Sequence, residues 1–311
     1  MVLWVVFKQF CQKQFQKIKS ISNKTYTFVV HLTMKNATII LLCFLLLAGM
    51  IRADSIVEKP LLNIAWELGG GSIRLHDDYL SPLEQIGWQV QLQTRFAGYF
   101  KRHVGCISWF NRYLASGGQV INLPATAGTL YGAFNVAYGV QRHFHPANNL
   151  MLGVGGTTIL DVMCKYNTRN VNNPVSADAS MGLMAAASIR YNWHMKRLFM
   201  GFEYNLESPI MGLMFVPEMG MSYYELSFGS WRNVLHFSSL HNKCGLSGQL
   251  NIDFVLKRCV LRVYMTHNHL YWRANNLQFN RREVIAGIGI VTDLLFFAGK
   301  STTQRPTAVW Q

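Results

Sequence analysis

From residue 61 onward the chain alternates apolar and polar side chains with a period of two, in runs of about ten residues. In "WQVQLQTRF", Trp88, Val90, Leu92 and Phe96 share one face, while Gln89, Gln91, Gln93 and Arg95 share the other. "YGAFNVAYGVQRHF" sets Phe134, Val136, Tyr138 and Val140 against Asn135, Gly139 and Gln141. "LFMGFEYNLE" sets Met200, Phe202, Tyr204 and Leu206 against Glu203, Asn205 and Glu207, and "LSGQLNIDFVL" sets Leu250, Ile252 and Phe254 against Gln249, Asn251 and Asp253. A two-residue period belongs to the β-strand. Runs this long exceed the ~5–6 residues usual in a globular sheet. In a soluble sandwich the apolar face turns inward. In a membrane barrel it turns to lipid, and the polar face lines the interior.

The N-terminal part has a different character. From Met34 the sequence reads "MKNATIILLCFLLLAGMIRADS": a lysine, an apolar run of about thirteen residues from Ala37 to Gly49, then Ala53 ahead of Asp54. That is the order of a secretory signal peptide. The run is shorter than the ~20 residues a membrane-spanning helix needs. Residues 34–53 are therefore expected to be a cleaved export signal and 54–60 a short lead-in. Residues 1–33 are read as an upstream extension before a mis-assigned start, with a genuine basic extension as the alternative. Seven of the basic residues (Lys8, Lys13, Lys17, Lys19, Lys24, Lys35 and Arg52) lie in 1–53, which holds no acid, so half of the formal +14 charge belongs there. Without it, basicity no longer argues for nucleic acid.

Export and long two-period strands together predict an all-β, antiparallel transmembrane barrel over 61–297, with a C-terminal tail at 298–311. Hydrocarbon admits only helices or closed sheets. Strands are expected near 61–70, 87–100, 103–114, 128–144, 149–163, 180–194, 197–208, 219–228, 231–240, 245–256, 258–271 and 282–297. That makes about twelve, with ten as the fallback. Short connections at Lys101-Arg102, His145–Asn148, Met195-Lys196, Gly229-Ser230 and Lys257-Arg258 alternate with longer ones near 71–86, 115–127, 164–179, 209–218, 241–244 and 272–281. The short set is expected on the periplasmic side.

"DDYLSPLEQIGWQ" (77–89), "SPIMGLMFVPEMGMSYYEL" (208–226) and "HFSSLHN" (236–242) resemble a domain-of-unknown-function family of outer-membrane barrel proteins from Gram-negative gut and oral anaerobes. The resemblance implies a bacterial outer-membrane location, contact with outer-membrane lipid and insertion by barrel-assembly machinery. It implies no activity.

Candidate site residues follow from which face each strand turns inward. Arg95, Arg190, Glu203, Glu207, Asp253 and Arg262 are expected in the lumen, with Tyr223 and Glu225 near its outer half. With Glu67, Asp161, Glu283 and Asp293 added, acids outnumber bases, so the lumen reads as acidic: a filled structural barrel, or a small channel or pocket for an ion or small molecule. A lipid-modifying hydrolase or acyltransferase is the alternative, with His236 and Ser238 on one strand face beside Ser239 and His241. The histidine pairs His143/His145 and His267/His269 lack a third ligand for a metal, and no cofactor is implied. Cys106, Cys164, Cys244 and Cys259 follow no metal spacing, and their pairing is not fixed by sequence.

Overall fold

The alternation builds strands, and the strands close on themselves. A computed structural model describes residues 62–100, 106–147, 149–169, 174–194, 199–221, 233–256 and 259–293. In chain order these form β1 (Asn63–Asp77), β2 (Ser81–Tyr99), β3 (Ile107–Asn122), β4 (Gly128–Ala147), β5 (Leu150–Asn167), β6 (Val175–His194), β7 (Phe199–Phe215), β8 (Leu235–Ser239), β9 (Lys243–Val255), β10 (Val260–Ala274) and β11 (Leu277–Asp293). Every pairing is antiparallel. Each strand from β1 to β7 pairs with the next, β7 pairs with β9, β9 with β10, β10 with β11, and β11 with β1. Ten strands thus form a closed barrel, and the five-residue β8 lies beside one end of β7.

The expectation of twelve strands gives way to its fallback of ten. The segment 231–240 supplies only β8, and 222–232 lies outside the described residues. So do the connections at Lys101-Arg102, Met195-Lys196, Gly229-Ser230 and Lys257-Arg258, and the segments 1–33, 34–53, 54–60 and 298–311.

Asn63 faces Asp293 across the β1–β11 pair, so both ends of the barrel sequence lie at one rim, here the terminal rim. The opposite rim carries the connection from β7 to β8 and is called the loop rim. Outward-facing apolar side chains form a belt around the barrel: Leu68, Leu92, Phe134, Ile189 and Ile288 are between 45% and 62% exposed. No helix among the described residues is long and apolar enough to cross a membrane. A water-exposed belt of this size would be strongly disfavoured, whereas lipid accepts it.

The loop rim departs from expectation. The segments read as long loops near 71–86, 115–127 and 272–281 are largely strand, joined by tight turns at Asp77–Ser81, Asn122–Gly128 and Ala274–Leu277. Strands therefore run to 15 residues in β1 and 20 in β4, against the ~9–11 that cross a bilayer. Beyond the belt the pattern inverts. Ile73, Leu75, Trp272, Leu277 and Phe279 point inward and are buried, while Ser72, Arg74, His76, Arg273 and Gln278 point outward. A sheet standing in water hides its apolar face, and this end of the barrel does so.

Candidate functional site

Three layers fill the barrel from rim to rim, each built by inward residues of neighbouring strands. Near the terminal rim, Phe110 on β3 occupies the space that Gly139 on the paired β4 leaves by lacking a side chain. Arg95 lies over that ring, 4.5 Å from its centre. His143 on β4 approaches the Ser108 hydroxyl at 2.6 Å.

Above this floor sits a buried ionic network. Arg262 donates from Nη1 to Glu67 at 2.9 Å and clamps both oxygens of Asp253 from Nε and Nη2, at 2.7 and 3.0 Å. Gln93 and Gln249 donate to the other Glu67 oxygen at 2.7 and 3.0 Å. Arg190 donates to Glu203 at 3.0 Å and lies 3.5 Å from Asp253. Gly201 leaves room for that guanidinium, since a Cβ there would stand 2.8 Å from Arg190 Nη2. Arg95 reaches Glu203 at 3.7 Å, and Arg112 donates to Glu207 at 2.8 Å. Glu67, Arg190, Asp253 and Arg262 are each 1% exposed. Charges this deep are tolerable only when paired and hydrogen-bonded, which these are.

At the loop rim the lumen carries an apolar cap. Ile73, Leu75, Val120, Tyr131, Met163, Met214, Val216, Trp272, Leu277 and Phe279 pack together. Trp272 and Phe279 stack with ring centres 5.1 Å apart and planes 9° from parallel. At this level Lys165 on β5 pairs with Asp77 on β1 and Asp178 on β6.

Between network and cap lies a chamber of about 130 Å³. Its walls include Gln91, Arg112, Asn135, Asp161, Ser180, Glu207, Thr266, Asn268, Arg281 and Glu283, together with Pro209, Ser238, Lys243 and Leu246 at one side. That volume has room for on the order of ten water molecules.

The residues expected in the lumen from sequence meet as far as they are described. Arg95, Arg190, Glu203, Asp253 and Arg262 join one network, and Glu207 lines the chamber. Tyr223 and Glu225 lie outside the described residues, as does the side chain of Asp293. An acidic lumen is not found. Arg112, Lys165 and Arg281 also point inward, and each pairs with a carboxylate. Lys165 and Arg281 fall in segments whose pattern predicts loop, and a loop gives its side chains no inward or outward sense. Arg112 stands at an inward position of its strand and was legible there. His236 and Ser238 share the inward face of β8, but His236 Nε2 contacts the Asn233 carbonyl at 2.8 Å. The hydroxyl–imidazole contact in this segment is Ser239 with His241, at 2.6 Å. Cys106, Cys164, Cys244 and Cys259 are free thiols. Among the described residues no three metal-ligating side chains converge.

A family described as "Protein of unknown function (DUF3316)" matches residues 37–301. This chain belongs to the DUF3316 family. No curated protein matches the DUF3316 chain. Among solved structures, the outer membrane protease OmpT from Escherichia coli resembles it at 8% identity, with 78% of this chain and 99% of that one covered and a TM-score of 0.41. The translocator domain of autotransporter NalP from Neisseria meningitidis resembles it at 8% identity, with 85% and 96% covered and a TM-score of 0.39. Ail, the attachment invasion locus protein of Yersinia pestis, solved with the heparin analogue sucrose octasulfate, resembles it at 8% identity, with 74% and 99% covered and a TM-score of 0.29.

Proposed function

We propose that this DUF3316 protein resides in the bacterial outer membrane and that its lumen is a binding chamber for a small molecule, not a through-pore. The observation that carries the reading is the network of Glu67, Arg262, Asp253, Arg190 and Glu203, buried across the lumen below the chamber. An ion passing this level must break paired, desolvated charges, and breaking one such pair costs about 3–5 kcal/mol. The apolar belt supports a lipid setting, and the rim holding Asn63 and Asp293 then faces the periplasm. Export through residues 34–53 and insertion by barrel-assembly machinery belong to the same proposal.

Conductance of the refolded full chain in planar bilayers tests it. The expected trace is silent. Steady ohmic openings from protein verified as folded by heat-modifiable gel mobility would replace the chamber with a channel.

A second reading rests on the Ser239–His241 contact at 2.6 Å beside the chamber. It is a lipid-modifying hydrolase with Ser239 as nucleophile and His241 as its base. Labelling by a fluorophosphonate that disappears in Ser239→Ala would favour this reading. An unlabelled wild type removes it.

A further inference from the structure

We infer that the chamber opens sideways, between β7 and β9, and that it takes the head of a single-chain amphiphile bearing a carboxylate or phosphate, whose tail stays in the surrounding leaflet. This deepens the chamber reading and rests on it.

The wall is interrupted at one place along β7. Its ladder with β9 runs from Phe199↔Val255 to Glu207↔Ser247 and ends there. Its ladder with β8 begins at Met211↔Ser239. Ser208, Pro209 and Ile210 lie between, without a strand partner on that side among the described residues. Pro209 has no N–H to offer a neighbour. The other edge of β7 is disturbed at the same height: Met184 opposes Pro209 and Leu183 opposes Met211, so Ile210 is an extra residue. Such a bulge bends a strand and disrupts its ladder. The result is a window framed by β7, by the turn from β8, and by Lys243–Leu246 of β9, with Ser208 Oγ donating to the Gly245 carbonyl at 3.0 Å near its lower edge.

The chamber reaches this window. Its lining contains lumen residues such as Asp161 and Asn268, and also Leu183, Met211 and Leu246. The last three belong to the outer face, where they are 47%, 47% and 40% exposed. All three flank the break between the β7–β9 and β7–β8 ladders, the place where a passage from the chamber to the outer face would run. Leu235 and Phe237 extend the apolar outer surface along β8 beside the breach, 64% and 59% exposed.

Head and tail follow from what each side offers. Lys243 stands at the inner lip and donates to Ser180 Oγ on β6 at 2.9 Å. In the chamber the carboxylates have cationic partners: Asp161 and Glu283 pair with Arg281, and Glu207 with Arg112. Lys243 forms no direct ion pair with a described carboxylate, and its hydrogen-bond partner is the neutral Ser180 hydroxyl, so it is the chamber cation most open to a ligand, and the complementary head is an anion. The Thr266 hydroxyl, on a residue 6% exposed, and the Asn135 side-chain Oδ1 line the same space without a hydrogen-bond partner among the described residues. About 130 Å³ accommodates a headgroup and a few methylenes but not a long chain. The tail must therefore pass out through the window along Leu183 and Leu246.

The test reconstitutes the full chain in phosphatidylcholine vesicles and titrates dodecanoate, dodecyl phosphate and, as a neutral control, dodecyl maltoside. Both anions are expected to bind better than the maltoside. Lys243→Gln should weaken the anions about tenfold and leave the maltoside unchanged. Tighter binding of dodecanoate identifies a free fatty acid as the source, and tighter binding of dodecyl phosphate a lysophospholipid-type head. The double variant Ser208→Cys/Leu246→Cys places two thiols facing each other across the window. Its oxidised form should bind at least tenfold more slowly, with recovery on reduction, and the reduced form serves as its folding control. Equal binding by the oxidised and reduced forms overturns the lateral window and leaves the chamber standing. Insensitivity to Lys243→Gln overturns the anionic head. Failure of the wild type to bind any of the three probes overturns the chamber itself.

Discussion

Arg262 on β10 holds Glu67 on β1 at 2.9 Å, although 195 residues separate them and β11 lies between their strands. The same guanidinium clamps Asp253 on β9, so one side chain ties three strands of the barrel from the inside. Removing one member leaves the others charged and buried, which is worse than removing all of them. Arg262→Met should cost about 3–5 kcal/mol. The triple variant Glu67→Gln/Asp253→Asn/Arg262→Met should cost less than that single change. Urea unfolding in vesicles, followed by tryptophan fluorescence, gives both values. A single variant within about 1 kcal/mol of wild type would mean the network is not a structural tie.

The cap at the loop rim should control access from that end. Trp272 and Phe279 stack at its centre, and Trp272→Ala removes a large buried ring at a cost of about 3–5 kcal/mol. A thiol placed in the chamber by Ser180→Cys should then react at least tenfold faster with a hydrophilic maleimide than it does under an intact cap. Equal rates would show that solvent reaches the chamber by another way.

Lys165 lies between Asp77 and Asp178. Lys165→Met leaves two carboxylates facing each other near neutral pH. Protonation relieves their repulsion, so the folded variant gains relative to its unfolded chain as pH falls. The stability deficit against wild type is expected to be largest at pH 7 and to shrink by pH 4. A deficit constant across that range would argue that the lysine acts through packing on Phe279, 5.0 Å from its ring centre, and not through charge.

The turn between β10 and β11 consists of Asn275 and Asn276, both left-handed, with φ of 50° and 60°. Two-residue hairpins of this kind favour Asn and Gly. Asn276→Val should cost about 1–2 kcal/mol, while Asn276→Gly should be close to neutral. The urea midpoints of the two variants decide it, and an equal loss in both would place the effect in side-chain hydrogen bonding.

Much of the barrel was legible in sequence because lipid imposes one rule on every strand that crosses it. Trp88, Leu92, Phe134 and Leu250 could be turned outward, and Glu203, Asp253 and Arg262 inward, from alternation alone. The rule ends where the bilayer ends. At Ser72–Asp77 and Leu277–Arg282 the alternation continues with its polarity reversed, and polar residues such as Arg74 and Gln278 then resemble loop. Arg281, which points into the lumen, carries no inward signal in the sequence for that reason. The window was illegible for another reason: Pro209 reads as a loop residue, and nothing local to it says that β9 will leave β7 two residues earlier, at Glu207.

The ionic network also bears on how the chain reaches its final state. Glu67 belongs to the first strand, Arg190 and Glu203 to the middle, and Asp253 and Arg262 to strands close to the last. Arg190 pairs with Glu203, and Arg262 with Asp253, between neighbouring strands, but until β11 meets β1 the Glu67 carboxylate lacks Arg262, and a partly assembled sheet carries it unpaired into a medium that penalises it. Intermediates along the way are therefore costly relative to both endpoints. Closing the sheet at β1–β11 and pairing Glu67 with Arg262 are therefore one event.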